Sequence, residues 1–139
     1  MNVMAKEKFI PIDIYKRGIH VFIGTLDEFK AWVNGYFDDE SEKEFCDVVS
    51  QFKGDKSMAS FHYDGNNGQG VILIPAFPKS PKEYAALVHE LLHATFFILN
   101  YCNVEYAYDG NNEAYTYLLE HLTRNALEKE GYKKVQKNQ

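Results

Sequence analysis

Two histidines and a glutamate stand together in the segment His89-Glu90-Leu91-Leu92-His93. Residues four apart in a helix project from the same face, so both imidazoles can approach one metal ion. The glutamate beside the first histidine then lies next to that ion, where its carboxylate can take a proton from a bound water. The spacing therefore predicts a zinc site with His89 and His93 as ligands and Glu90 as general base.

The neighbouring residues argue against a chance match. The helix predicted here is apolar nearly all round, which is typical of a buried helix. Its apolar residues are Leu87, Val88, Leu91, Leu92, Phe96, Phe97, Ile98 and Leu99. Burying two imidazoles and a carboxylate without partners costs several kcal/mol, and a metal ion supplies the partner. The alternative is that the histidines hydrogen-bond to nearby carbonyl groups while Glu90 reaches solvent.

A third ligand must come from another part of the chain, because a catalytic zinc ion takes three protein ligands and leaves a fourth position for water. The candidates downstream of the histidines are Glu105, Asp109, Glu113, Glu120 and His121. Glu113 is favoured because it falls in the first turn of the last predicted helix. A helix holds such a side chain in a fixed position.

The segments His89-Glu90-Leu91-Leu92-His93 and Asn112-Glu113-Ala114-Tyr115 resemble the gluzincin branch of the zincin metallopeptidases. In that branch HExxH is followed, on a second helix, by a glutamate ligand. Nineteen residues separate His93 from Glu113, the gap seen in thermolysin-like enzymes. The resemblance implies a peptidase that holds one Zn²⁺ on His89, His93 and Glu113 and cleaves a peptide or protein substrate. Both segments look most like small zincin-like proteins of phages and gut bacteria.

The resemblance extends to the predicted hairpin over residues 57–74. Zincins place an antiparallel edge strand above the metal, where an extended substrate adds as a further strand. This implies a substrate-binding edge at Ala59, Ser60 and Phe61. One departure is Tyr117, which stands where thermolysin-like enzymes carry an aspartate that supports a zinc histidine. Asp109, Glu120 or a backbone carbonyl is then left to orient a histidine.

A second electrophile usually stabilises the oxyanion that forms during peptide hydrolysis. The candidates for this role are Tyr106, Tyr108, Tyr115, Tyr117 and His62. His121 lies two helical turns beyond Glu113 and is a candidate to orient a zinc ligand. The simpler interpretation is a histidine that is hydrogen-bonded within its helix.

Two competing interpretations remain at this stage. One is a catalytically idle zincin-like module that keeps the metal and serves in binding or assembly, for example in a phage. The other is a protein without metal. The presence of Glu90 favours the enzyme, because a purely structural zinc site has no use for a base there.

Composition narrows the class of protein. A chain of 139 residues with 45% apolar and 25% charged residues is typical of one folded domain, here residues 1–139. A net charge of −5 argues against nucleic acid as a partner. The two cysteines have no C-x-x-C spacing, and no apolar run reaches the roughly 18 residues of a membrane span. We therefore expect a cytoplasmic protein with no membrane partner.

The elements that position the site follow from periodicity and capping signals. Strands are expected at residues 9–15 and 19–23 and on both sides of a turn at 65–70. Helices are expected at 26–34, 38–52, 81–101 and from Asn111 or Asn112 to about Glu130, followed by a frayed basic tail from about 131. The expected fold is α+β and zincin-like. Its mixed or antiparallel sheet of about four strands packs on the buried HExxH helix and the C-terminal helix.

Overall fold

The computed structural model of the chain describes residues 5–37, 59–110 and 112–135. The strands are β1 (Lys6–Ile12), β2 (Arg17–Ile23), β3 (Ser60–Asp64), β4 (Gln69–Ile74) and β5 (Lys133–Lys134). The helices are α1 (Leu26–Tyr36), α2 (Pro81–Tyr101) and α3 (Glu113–Leu127), and a 3-10 turn at Asp13–Tyr15 joins β1 to β2. The predicted helix over 38–52 lies outside the described residues.

The five strands form one mixed sheet in the order β3-β4-β2-β1-β5. β1 and β2 form the expected antiparallel hairpin, and β3 and β4 form the second one. The central pair β2 and β4 is parallel, with Ile19 opposite Gly70 and Ile23 opposite Ile74. Among the described strands, β3 therefore lies at one edge of the sheet. The α+β class predicted from the sequence is confirmed.

Alternating side chains of the strands build a separate core on each face of the sheet. On one face, Ile19 and Val21 of β2 pack with the inner residues of α2 and α3, which include Leu91 and Leu122. On the other face, Phe22 packs with aromatic and aliphatic residues of α1. The sheet thus separates α1 from the two C-terminal helices.

Capping boxes start both α1 and α2. The Thr25 hydroxyl accepts from the Glu28 N–H, and the Glu28 carboxylate accepts from the Thr25 N–H. Ser80 and Glu83 exchange the same two bonds at the start of α2. These bonds satisfy backbone donors that a helix start leaves unpaired. α1 continues to Tyr36, two residues beyond the predicted end at 34.

One face of α2 is open, which corrects the prediction that this helix is buried nearly all round. Leu92 and Phe96 are 41% and 43% exposed, and His89 and His93 are exposed as well. Leu87, Leu91 and Ile98 on the opposite face are buried. The histidine face therefore borders solvent.

The end of the chain corrects a second prediction. α3 ends at Leu127 rather than near Glu130, and Lys133–Lys134 form strand β5 instead of belonging to a frayed tail. Lys134 pairs with Lys6 of β1, and the Tyr132 hydroxyl donates to the Ala126 carbonyl at 2.7 Å. This strand raises the count to five, against the four expected. Among the described helices, none combines the length and apolar character required to cross a bilayer.

Candidate active site

The two histidines of α2 converge on one point. Their Nε2 atoms are 3.2 Å apart, and their ring planes meet at 72°. The spacing of four residues places both side chains on the same helical face, and each ring extends away from the helix toward solvent. The lone pairs of two ring nitrogens can therefore face a single ion.

The separation of these nitrogens fits a metal ligand pair. Zinc binds imidazole nitrogen at about 2.0–2.1 Å, so two nitrogens in tetrahedral arrangement on one ion stand about 3.3 Å apart. The observed Nε2–Nε2 distance of 3.2 Å agrees with that value. The spacing of the two Nε2 atoms is therefore the spacing that a zinc ion requires.

Glu90 stands beside the histidines on the side that faces β3. Burial raises the pKa of the Glu90 carboxyl above its ordinary value, while His93, His89 and a hydrogen bond from the Phe61 backbone N–H act in the opposite direction. A carboxylate with a raised pKa is a better proton acceptor near neutral pH. Its contact with Phe61 also ties the base to the edge strand.

A cavity of about 790 Å³ opens in front of Glu90 and His93. Most of its lining is aromatic, which gives it the mainly apolar walls of a ligand-binding cleft. The remaining lining residues come from β3, the C-terminal half of α2, the connector and α3: Ser60, Phe61, His62, Tyr63, Phe96, Phe97, Asn100, Tyr101, Tyr106 and Tyr115. The site thus combines a base, two imidazoles and room for an extended ligand.

Glu113 begins α3 as expected, and its side chain is exposed. Within residues 5–37, 59–110 and 112–135, no group of three or more His, Cys, Asp or Glu side chains is arranged to hold a metal. Glu113 is therefore not drawn into a three-ligand cluster with the histidines. Its role as third ligand stays a prediction.

The tyrosines named as oxyanion candidates divide into two groups. Tyr106 and Tyr115 line the cavity, whereas Tyr108 and Tyr117 do not and are 87% and 66% exposed. The Tyr115 hydroxyl donates to the Val104 carbonyl, so its proton is already engaged. Tyr106 is half exposed and packs edge-on against the Tyr115 ring.

The remaining histidine candidates have partners away from the α2 pair. His62 is only 2% exposed and packs against Phe29 on the α1 face of the sheet, with its Nε2 2.8 Å from the Ser60 hydroxyl. His121 Nε2 lies 2.9 Å from the Pro11 carbonyl oxygen, a partner on β1. The structure thus groups His89, Glu90 and His93, and leaves these two outside that group.

The predicted substrate edge is at the sheet border. Ala59 precedes β3, and Ser60 and Phe61 open the strand, which pairs on one side with β4. The Phe61 N–H acts on Glu90, a residue of α2, so it points away from β4. Along a strand of an antiparallel pair, the backbone N–H and C=O of one residue face the partner strand, and those of the next residue face away from it. Tyr63 therefore also turns its backbone N–H and C=O toward the open edge.

Sequence reasoning missed the aromatic wall of the cavity. Phe97 and Tyr101 follow His93 at four-residue spacing, and Phe61 and Tyr63 alternate on β3. These periods place each pair on one face of its element. The sequence contains this spacing, but apolar residues of a helix predict core packing more readily than a cavity wall.

This chain matches no protein-family model, no curated protein and no solved structure. The functional argument therefore depends on the arrangement of α2, β3 and the surrounding tyrosines.

Proposed function

We propose that this chain is a zinc-dependent peptidase in which His89 and His93, together with Glu113, bind the metal and Glu90 is the general base. The observation that carries this proposal is the Nε2–Nε2 distance of 3.2 Å between the two histidines. It agrees with the roughly 3.3 Å expected for two imidazoles on one tetrahedral zinc ion. The half-buried carboxylate one residue from His89 supplies the base that such chemistry requires.

Each residue then has a defined task. Zinc, when bound, lowers the pKa of a water molecule and polarises the carbonyl group of the scissile bond. Glu90 accepts a proton from the attacking water at its carboxylate and passes it to the leaving amine. The Phe61 N–H holds the Glu90 carboxylate in place during both transfers. Burial raises the pKa of the Glu90 carboxyl, which favours uptake of a proton by this group.

The substrate backbone binds along β3 in this proposal. β3 is at the edge of the described sheet, and the outward Phe61 C=O and the N–H and C=O of Tyr63 can pair with an added strand, while the Phe61 N–H contacts Glu90. A peptide bound there passes Glu90 and His93, which line the same cavity. Main-chain pairing positions the scissile bond whatever the side chains are.

Tyr106 is the side chain we propose as oxyanion donor. It lines the cavity with Glu90 and His93, whereas the other cavity-lining tyrosine, Tyr115, already donates to Val104, and the His62 ring packs on Phe29 on the opposite face of the sheet. Tyr106→Phe removes the hydroxyl and keeps the ring, so we expect kcat to fall about a hundredfold with little change in KM. Tyr108→Phe is the control, because that ring is outside the cavity and 87% exposed. Equal kcat values for the two variants would reject the assignment.

The central experiment pairs metal analysis with peptide hydrolysis. We expect one zinc ion per chain in wild type and in Glu90→Gln, and none in His93→Ala. Cleavage of a mixed peptide library should occur with wild type and be lost in Glu90→Gln, because an amide cannot accept the proton. Unchanged cleavage by Glu90→Gln would disprove the mechanism. Zinc bound without any cleavage by wild type would instead favour the idle binding module.

The third ligand has its own test. Glu113→Ala should weaken zinc affinity by at least tenfold in a competition titration against a chelator, because one of three protein ligands is lost. Glu120→Ala is the matched control, since Glu120 is an exposed glutamate on the same helix. If Glu113→Ala retains wild-type affinity and Glu120→Ala does not, the ligand is Glu120.

A further inference from the structure

Four rings form a continuous wall beside the proposed catalytic residues, which we name the aromatic groove: Phe61, Tyr63, Phe97 and Tyr101. The Tyr63 and Phe97 ring centroids are 4.8 Å apart, and Phe61 lies 5.7 Å from both of those rings. Tyr101 continues the row, with its centroid 6.1 Å from that of Phe97. All four residues line the cavity that contains Glu90 and His93.

The far end of the groove is held in place by the β3–β4 turn. The Tyr101 hydroxyl donates to the Asn66 carbonyl at 3.3 Å, and the Arg17 guanidinium lies 4.3 Å from the centre of the Tyr101 ring. Arg17 also donates to the Gly68 carbonyl at 3.3 Å. Gly68 has φ +68°, and a Cβ at this position would lie 2.8 Å from the Tyr101 ring. The turn thus requires glycine where it approaches the ring closely.

The groove has a direction relative to the catalytic residues. Phe61 of β3 contacts Glu90, Tyr63 packs on Phe97, and Asn66 beyond the strand reaches Tyr101. The N-terminal part of β3 therefore lies beside Glu90, and the C-terminal end of β3 lies beside the C-terminal end of α2. The strand and the helix run the same way past the cavity.

A peptide that adds to β3 in the antiparallel sense, the more stable pairing, runs opposite to both elements. Its residues before the scissile bond then lie over the groove, and its residues after that bond lie beyond Glu90 toward Ala59. Phe97 and Tyr101 are one and two helical turns beyond His93, or about 6 and 12 Å. An extended peptide advances about 3.3 Å per residue, so the groove faces the second to fourth residues before the bond.

We propose that the aromatic groove selects substrates with a large apolar side chain, aromatic or leucine-like, two to four residues before the scissile bond. The position of that bond rests on the proposed peptidase function, whereas the binding of such side chains does not. None of the four groove residues carries a charge, and Tyr63 and Tyr101 are partly exposed, so an apolar side chain covers ring surface that water now contacts. Rings also stack favourably on an aromatic ligand.

Cleavage profiling gives the first test. A degenerate decapeptide library is digested with the zinc-loaded protein, and the new termini are read by mass spectrometry. We expect Phe, Tyr, Trp and Leu to be enriched two to four residues before the cut, with about tenfold higher kcat/KM for a Phe peptide than for its Gly counterpart. Tyr63→Ser and Tyr101→Ser should reduce this preference, the ratio of kcat/KM for the Phe and Gly peptides, to twofold or less.

Tyr84→Ser is the matched control, because Tyr84 is a partly exposed tyrosine of α2 outside the cavity. It should retain the wild-type preference. Thermal melting of each variant checks that the fold is intact. A cleavage profile without apolar preference, or with the preference only after the cut, would overturn the groove assignment and leave the peptidase proposal standing.

A binding measurement separates the two proposals. Two fluorescein-labelled decapeptides of Ala and Lys, one with a central Phe and one with Gly, are titrated with Glu90→Gln. We expect at least fivefold tighter binding of the Phe peptide, and loss of this difference when Tyr101→Ser is added. If the difference in binding is observed and wild type cleaves no peptide, the groove assignment holds and the peptidase proposal fails. Equal binding of both peptides, with or without cleavage, would overturn the groove.

Discussion

Burial acts in opposite directions on the pKa values of His62, a residue of β3, and of Glu90, a residue of α2 beside that strand. It raises the pKa of the Glu90 carboxyl and lowers the pKa of the His62 imidazole to about 4. In both residues the charged form is disfavoured because water is excluded. For Glu90 the result suits a proton acceptor beside the cavity. For His62, which is buried on the opposite face of the sheet, the result bears on stability.

The free energy of unfolding should therefore depend on His62 at acidic pH. An unfolded histidine has a pKa near 6.5, so between about pH 6.5 and 4 the unfolded chain binds a proton that the folded chain does not. The contribution of neutral His62 is fully present above pH 6.5 and is lost as pH falls toward 4. A shift of this size corresponds to about 3 kcal/mol. Urea unfolding at pH 4, 5.5 and 7.5 measures it.

His62→Gln isolates this effect from the titration of carboxylates elsewhere. Glutamine is polar and carries no titratable proton. The unfolding free energy of the variant should therefore change less between pH 7.5 and 4 than that of wild type. The difference between the two slopes is the His62 contribution. Parallel pH profiles for the two proteins would show that His62 is protonated in the folded state as readily as in the unfolded chain.

At the scale of elements, β1 supplies a cap for the end of α3. The Lys8 ammonium donates to the Asn125 and Glu128 carbonyls at 2.7 and 3.0 Å, and its side chain is buried. These are among the carbonyls that the last turn of a helix leaves without partners, and a positive charge there also interacts favourably with the helix dipole. Together with the contact of His121 Nε2 with the Pro11 carbonyl, this side chain joins β1 to α3 across more than a hundred residues of sequence.

Lys8→Met should lower the free energy of unfolding by about 2 kcal/mol, because it keeps the apolar stem and removes two charge-assisted hydrogen bonds. Lys6→Met is the control, since Lys6 is an exposed lysine on the same strand and should change stability by less than about 0.5 kcal/mol. Chemical denaturation of both variants gives the comparison. Equal losses would mean that the Lys8 bonds to α3 contribute nothing measurable.

Elements with local signals were predictable from the sequence, whereas those made by distant pairing were not. Thr25 and Glu28, three residues apart, cap α1 as expected, and the HExxH spacing alone brings His89 and His93 together. β5 depends on pairing with β1 at the other end of the chain, and no local period marks two lysines as a strand. The position of Glu113 relative to the histidines depends on how α3 crosses α2, which side-chain spacing does not determine.

At the scale of the whole molecule, the mixed sheet places the chemistry at one border. α1 covers one face, α2 and α3 cover the other, and β3 leaves its edge beside the HExxH helix. The aromatic groove spans both elements, since two of its rings come from β3 and two from α2. In the proposed function, substrate binding and catalysis would therefore both depend on the packing of α2 against the β3–β4 hairpin.

Zinc should consequently stabilise the entire fold in this proposal, because a ligand that binds only the folded chain shifts the unfolding equilibrium. At a free zinc concentration one hundred times the dissociation constant, the gain is about 2.7 kcal/mol, or roughly 10 °C in Tm for a chain of this size. Calorimetry of wild type with zinc and after chelation measures the shift. His93→Ala should melt at the same temperature in both conditions, since it lacks one of the two imidazoles that meet at 3.2 Å. A zinc shift of equal size in His93→Ala would place the metal elsewhere in the chain and remove the basis for the peptidase proposal.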